Sequence, residues 1–307
     1  MMTKKIRLFF KGISIVCLIV FLAVGVSGCT ATRHTIQKTA IPLVDTSVDD
    51  IVDKLLRQKN GAFIKNGLPG TLLLVTGLTE LAPTDYNLLA TTSLLYAALG
   101  LFVEDQNPDY AISLYKIGTD YGMRAMKANN SKFRKALEDG ARVPEATKYL
   151  TKDDLKGLTW YGVNLAKRVT LQLATPEEIT DIQDAVATAK RSVELDPKYG
   201  WGANWAILGI FYAVVPAFGG MGSGPEASRE AFANGNRAEN GEFGVMDVMV
   251  ARYLCPLIKD EDWYDRLNDR VIAMDSCKLG GGLCILNELA KQKAQFNQAN
   301  KFKYMGF

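Results

Sequence analysis

From about residue 46 to the C-terminus, apolar residues recur at three- and four-residue intervals with no sustained two-residue alternation, so the chain reads as helices packed on helices. Pro, Gly and Asn set the joints. The pattern predicts helices near Val48 to Lys59, Pro69 to Leu81, Pro83 to Val103, Pro108 to Ala128, Asp153 to Leu173 and Pro176 to Leu195, and then Gly202 to Val215, Pro225 to Ala238, Val245 to Leu257, Asp262 to Met274 and Cys284 to Phe302. Two starts are well signalled. In Thr175-Pro176-Glu177-Glu178 and Asn107-Pro108-Asp109 a capping side chain precedes a proline at the first helical position, and carboxylates face the positive helix end. Pro69-Gly70 and Pro83 read as ordinary joints, and the cluster Lys132 to Lys135 as a solvated helix face.

The N-terminus carries a separate message. Lys4, Lys5, Arg7 and Lys11 precede the apolar run Ile13 to Val26, and small residues lead into Cys29. The run is shorter than the roughly 20 apolar residues of a spanning helix. Val26-Ser27-Gly28-Cys29 resembles a bacterial lipobox, which makes residues 1–28 a signal peptide, Cys29 the lipidation point, residues 29–45 a lipidated tether and residues 46–307 one helical domain. Thr30 is not the Asp that would signal retention at an inner membrane. The expected place is the cell envelope, lipid-anchored to the outer membrane and facing the periplasm.

Setting aside the four N-terminal cations leaves 32 Lys and Arg of the 36, against 33 Asp and Glu. No basic stripe remains to neutralise phosphates, so nucleic acid is not expected as a partner. The single histidine, His34, falls in the tether, which leaves the domain without an imidazole for Ser-His-Asp or Cys-His chemistry or for a histidine-based zinc site. Neither enzyme, metal nor cofactor is expected. The acidic pairs Asp153/Asp154 and Glu177/Glu178 read as helix-start charges. Cys255, Cys277 and Cys284 form an odd set in an oxidising compartment, where one disulfide and one free thiol are expected. Cys277 and Cys284 flank Gly280-Gly281-Gly282, and Cys255 with either partner is equally allowed.

Trp205-Ala206-Ile207-Leu208-Gly209-Ile210-Phe211-Tyr212 matches the W-x-x-L-G-x-x-Y pattern of the first helix of a tetratricopeptide repeat. Trp205, Leu208 and Tyr212 share the face that packs on a second helix, and Gly209 permits close approach. Ser228 and Phe232 supply that second helix after a glycine-rich insertion. Ala185, Ala189 and Ser192, leading to Glu194-Leu195-Asp196-Pro197, and Ala111, Tyr115 and Gly118 repeat the spacing upstream. The expected fold is all-α: stacked antiparallel helical hairpins forming a degenerate tetratricopeptide-repeat-like solenoid with one concave surface.

With these elements in order, including Leu158-Thr159-Trp160-Tyr161-Gly162 and the turn Pro216-Ala217-Phe218-Gly219-Gly220, the mature chain resembles the TatT family, the T component associated with tripartite ATP-independent periplasmic (TRAP) transporters. The resemblance implies a non-enzymatic envelope lipoprotein that works with a periplasmic solute-binding (P) component feeding a permease, with self-association left open. The complete Trp205 signature is crisper than the cryptic repeats of that family. A scaffold lipoprotein that assembles envelope proteins, with no solute of its own, is the alternative.

In the repeat frame, Ala203, Ala206, Ile210, Ala213 and Val214 face the concave side, a lining suited to a small apolar organic acid or a partner helix rather than a charged tail. Trp160, Asn164 and Arg168, with Trp201 and Asn204, are candidates for aromatic walls and polar anchors of the same groove. Gly219 to Gly224 matches no nucleotide loop, having neither a Lys-Ser/Thr pair nor a preceding strand, and reads as a lip carrying Phe218 and Met221.

Overall fold

The computed structural model describes residues 41–172, 178–215, 224–278 and 280–306. The chain divides into two units, Met1–Ser47 and Val48–Phe307. In the first, the described part is the opening of a helix at Ile41. Cys29, His34, Phe218, Met221 and the capping sequence Thr175 to Glu177 lie outside the described residues.

The described residues are helical with no strand. In chain order they form α1 (Ile41–Leu56), α2 (Gly61–Leu81), α3 (Tyr86–Val103), α4 (Pro108–Asn129), α5 (Ser131–Glu138), α6 (Val143–Ala146), α7 (Leu155–Leu171) and α8 (Glu178–Leu195). There follow α9 (Ala203–Val214), α10 (Pro225–Ala238), α11 (Gly244–Met249), a π-helical turn Val250–Leu254, α12 (Cys255–Ile258), α13 (Glu261–Ala273), α14 (Cys284–Ala299) and α15 (Lys301–Met305). Side-chain caps place several starts: Asn107 Oδ1 accepts from the Tyr110 amide at 3.2 Å, and Asp260 Oδ1 from that of Trp263 at 2.8 Å.

Four expected elements need correction. Pro69 is no joint, because α2 starts at Asn60, whose side chain accepts from the Phe63 amide, and runs through the proline to Leu81. An interior proline costs about 3 kcal/mol, but the buried stripe Ile64, Leu68, Leu72, Val75 and Thr79 continues across it, and packing of that stripe overrides the local break. Pro83 precedes the true cap, Asp85, so α3 begins at Tyr86. The expected helix from Val245 to Leu257 contains the π-turn, and the last helix breaks at Asn300. Helix α5 carries the solvated face expected at Lys132 to Lys135, with Phe133 buried on the other side, whereas α6, at four residues, is too short to show an apolar period.

Helices adjacent in sequence pack as neighbours: α3 on α4, α4 on α7, α7 on α8, α8 on α9, and α9 on α10, with α3 also touching α7 and α7 touching α9. Small residues set the spacing. A Cβ on Gly122 of α4 would lie 2.7 Å from the Tyr161 Cα, and one on Gly209 would lie 2.7 Å from the Phe232 ring. Ser228 Oγ donates to the Gly209 carbonyl at 2.8 Å across the same crossing. Helix α3 is apolar and long enough to cross a membrane by composition alone, but 78% of it is buried, as befits the central helix of the core.

One polar cluster runs through this core. Glu104, at the end of α3, accepts from Tyr115 Oη at 2.6 Å and pairs with Lys293 Nζ at 2.5 Å and Lys167 Nζ at 3.0 Å. Asp105 pairs with Arg252 at 2.8 Å, and Arg252 Nε donates to Asn297 Oδ1 at 2.8 Å. Lys293 is fully buried. Burial opposes ionisation of Glu104, yet the pull of Lys167, Lys293 and Arg252 outweighs it and lowers its carboxyl to about 2. Removing one partner strands the others, so Lys293→Met is expected to lower unfolding free energy by about 3–5 kcal/mol, read as a shifted denaturant midpoint. An unchanged midpoint would show that the cluster holds nothing together.

Candidate functional site

The turn between α8 and α9 departs from ordinary backbone at three successive residues. Gly200, Trp201 and Gly202 all have positive φ, at 74°, 53° and 75°. A tryptophan in the left-handed region is strained by roughly 1–2 kcal/mol. The strain turns the Trp201 indole against Trp160 in the middle of α7, with ring centroids 6.1 Å apart at a 48° tilt.

Behind the two rings lies an inner cavity of about 80 Å³ walled by Val52, Leu55 and Leu56 of α1, Ile64 and Leu68 of α2, Leu94, Leu95, Ala98, Leu101 and Phe102 of α3, and Ile285, Leu286 and Leu289 of α14. No polar side chain lines it. In front lies a vestibule of about 650 Å³ that shares Val52, Leu56, Leu94, Trp160 and Trp201 with the inner cavity and is rimmed by Asp49, Asp53, Arg57, Lys156, Asp196 and Lys198. Asp49 pairs with Lys156 at 2.6 Å and Asp53 with Arg57 at 2.9 Å, while Arg57 Nη1 donates to the Gly281 carbonyl at 3.1 Å. The arrangement is amphipathic, with charges outside and hydrocarbon within.

The other expected groove residues go elsewhere. Ala206 and Ile210 are buried in a cluster with Phe232, Met246 and Met249, and they line a separate rear cavity of about 80 Å³ together with Ala203, Lys167 and Leu101. Val214 packs half-buried beside them. Asn164 is a staple: its Nδ2 donates to the Ser93 carbonyl at 2.9 Å and the Trp160 carbonyl at 2.8 Å, tying α7 to α3. Asn204 Nδ2 donates to Thr159 Oγ1 at 3.1 Å, and Arg168 pairs with Asp181 at 2.5 Å. Thus the structure brings Trp160 and Trp201 together, and places Ala206 and Ile210 at a different cavity. The walls from α1, α2 and α14 were not foreseen, since only long-range packing brings them to the tryptophans.

Cys277 and Cys284 form a disulfide with Cα atoms 4.5 Å apart. Its loop supplies the Gly281 carbonyl that holds Arg57 and leads into the cavity wall of α14. Cys255 is free, and burial pushes its thiol up to about 12, which makes it unreactive.

A second charged cluster lies between α10, α11 and α13. Asp247 pairs with Arg270 at 3.1 Å, while both carboxyl oxygens of the buried Glu239 lack a hydrogen-bond partner. Burial first, then the neighbouring charges of Asp247 and Glu242, push the Glu239 carboxyl up to about 9 against the partial relief of Arg270. No group of His, Cys, Asp and Glu that could hold a metal ion occurs among the described residues.

A helical scaffold around apolar cavities, one of them opening on a charged rim, is the class this geometry defines. The chain belongs to the TRAP transporter T-component family, whose model matches residues 58–304. That family is one of transporter accessory components. The chain is also 27% identical over 177 residues to an uncharacterized protein of Treponema pallidum (strain Nichols), an alignment covering 56% of this chain and 54% of that protein. It therefore spans about half the length of that curated relative.

The raised Glu239 carboxyl has a consequence for stability. Its folded value stands above the ordinary 4.5, so its contribution is fully present below about pH 4.5 and is lost as pH rises toward 9. Glu239→Gln is expected to raise stability in mildly alkaline buffer by roughly 2 kcal/mol and to leave it unchanged in acid, as measured by denaturation at several pH values. A variant with the wild-type pH profile would contradict this.

Proposed function

We propose that the chain is a non-enzymatic, periplasm-facing lipoprotein, anchored through Cys29, that serves a TRAP transporter by binding a small apolar organic acid, its periplasmic solute-binding P component, or both. Family membership supports the transporter role. The observation that carries the ligand reading is the polar-free inner cavity behind Trp160 and Trp201, opening on a charged vestibule. Strain retained at Trp201 points the same way, because strain of this kind clusters at ligand sites. The helix pairs α3/α4, α7/α8 and α9/α10 serve as degenerate tetratricopeptide units in this reading, each first helix touching the first helix of the next pair. Gly209 against Phe232 and Ser228 supplies the close crossing that such a unit needs.

One observation favours the scaffold alternative. On α2, Phe63, Leu73 and Leu74 are 64%, 75% and 65% exposed on the face opposite the buried stripe, an apolar surface suited to a protein partner.

Calorimetry with a TRAP-type periplasmic solute-binding protein from the same organism and with apolar carboxylates separates the two. Trp201→Ala is expected to weaken acid binding about tenfold or more, with circular dichroism unchanged. Wild-type protein that binds no acid and no P component would leave the scaffold reading standing. Metabolic labelling with a tagged fatty acid tests the anchor: Cys29→Ala is expected to abolish incorporation, and retained label would refute lipidation at that thiol.

A further inference from the structure

The inner and rear cavities are separate spaces, yet one side chain lines both. Leu101 of α3, half-buried, lines the inner cavity on one side and the rear cavity on the other. Resting on the reading that the vestibule and inner cavity hold a ligand, we propose that Leu101 is a septum that sets the length of that ligand, a straight-chain amphiphile with an anionic head.

The ligand class follows from the walls. Only aliphatic and aromatic side chains line the inner cavity, so no polar group of a ligand finds a partner there and the head must stay in the vestibule. On the vestibule rim, Asp49 and Asp53 already hold Lys156 and Arg57, whereas the exposed Lys198 makes no ion pair among the described residues and is the cation open to a carboxylate.

The shape follows from volume. Each apolar cavity measures about 80 Å³. An apolar cavity of about 150 Å³ takes up benzene, so a space of about half that size, meeting a second one at a single side chain, suits a narrow chain better than a ring. A chain entering past the tryptophans meets Leu101 among the walls of the first space. Beyond it the rear cavity continues with further apolar walls, including Ile207, Ile210 and Phe211.

The test uses the full chain as wild type, Leu101→Ala and Leu101→Phe, titrated by calorimetry with straight-chain carboxylates from butanoate to dodecanoate. In the wild type, affinity is expected to rise about fourfold per methylene and then level off where the chain end reaches Leu101. Leu101→Ala is expected to move that break to longer acids and Leu101→Phe to shorter ones, two opposite shifts that loss of structure does not produce. Circular dichroism checks each fold, and either folded variant alone decides the matter. The same break in wild type and variants, with acids still bound, overturns the septum while leaving the ligand reading intact. Methyl esters bound as tightly as the acids overturn the anionic head, and branched isomers of equal carbon count bound as tightly overturn the straight chain. A wild type that binds none of the series overturns the ligand reading itself, and the septum with it.

Discussion

Two buried carboxylates, Glu104 and Asp105, draw side chains from distant parts of the chain into one ion cluster. Its members come from the end of α3, from α4 through Tyr115, from α7 through Lys167, from the π-turn through Arg252 and from α14 through Lys293. Five parts of the chain, up to 189 residues apart, meet at two carboxylates. Buried ion pairs add little net stability over well-packed hydrocarbon, because desolvation consumes most of the Coulombic gain. What they add here is register. A helix sliding by one residue against α3 would leave a cation stranded in hydrocarbon, whereas leucine against leucine tolerates such a slip. The π-turn belongs to the same device: an extra residue in the turn rotates the helix locally, and Arg252 ends up facing the cluster.

The helices were legible in the sequence because their punctuation is local. Asn107-Pro108-Asp109 carries its own cap, and the span from Pro225 to Ala238 is bounded by glycine and proline on one side and a polar link on the other. The close crossing of α9 and α10 was legible for a related reason, since Gly209, Ser228 and Phe232 hold fixed places in a repeated pattern. Pro69 misled because local preference opposed a buried stripe that only the packed structure reveals.

The candidate site was half legible. Trp160 and Trp201 were expected as aromatic walls of one groove, and they do face each other, beside a vestibule that Ala206 and Ile210 do not line. Asn164 and Asn204 looked like anchors because a polar side chain on an apolar helix is as consistent with a ligand contact as with a buried staple. Their amide nitrogens donate to Ser93 and Thr159, 71 and 45 residues away, bonds that tie α7 to α3 and α9 to α7. The cavity walls from α1 and α14 come from opposite ends of the chain. Ordinary amphipathic helices form those walls, and nothing in a single amphipathic helix states which cavity it closes.

The ion cluster and the cavities are mechanically one feature. Leu101 lies three residues before Glu104, on the same face of the last turn of α3. Glu104 is held by Tyr115, Lys167 and Lys293, so the turn that carries Leu101 has little freedom to shift, and the wall between the two apolar spaces keeps its place. Lys167 takes part on both sides, with its side chain lining the rear cavity and its ammonium paired to Glu104. Charges that contribute little to net stability therefore fix the geometry of spaces that contain no charge at all. A core of hydrocarbon alone would have packed those spaces shut, because nothing would have held the helices at the separation that leaves them open.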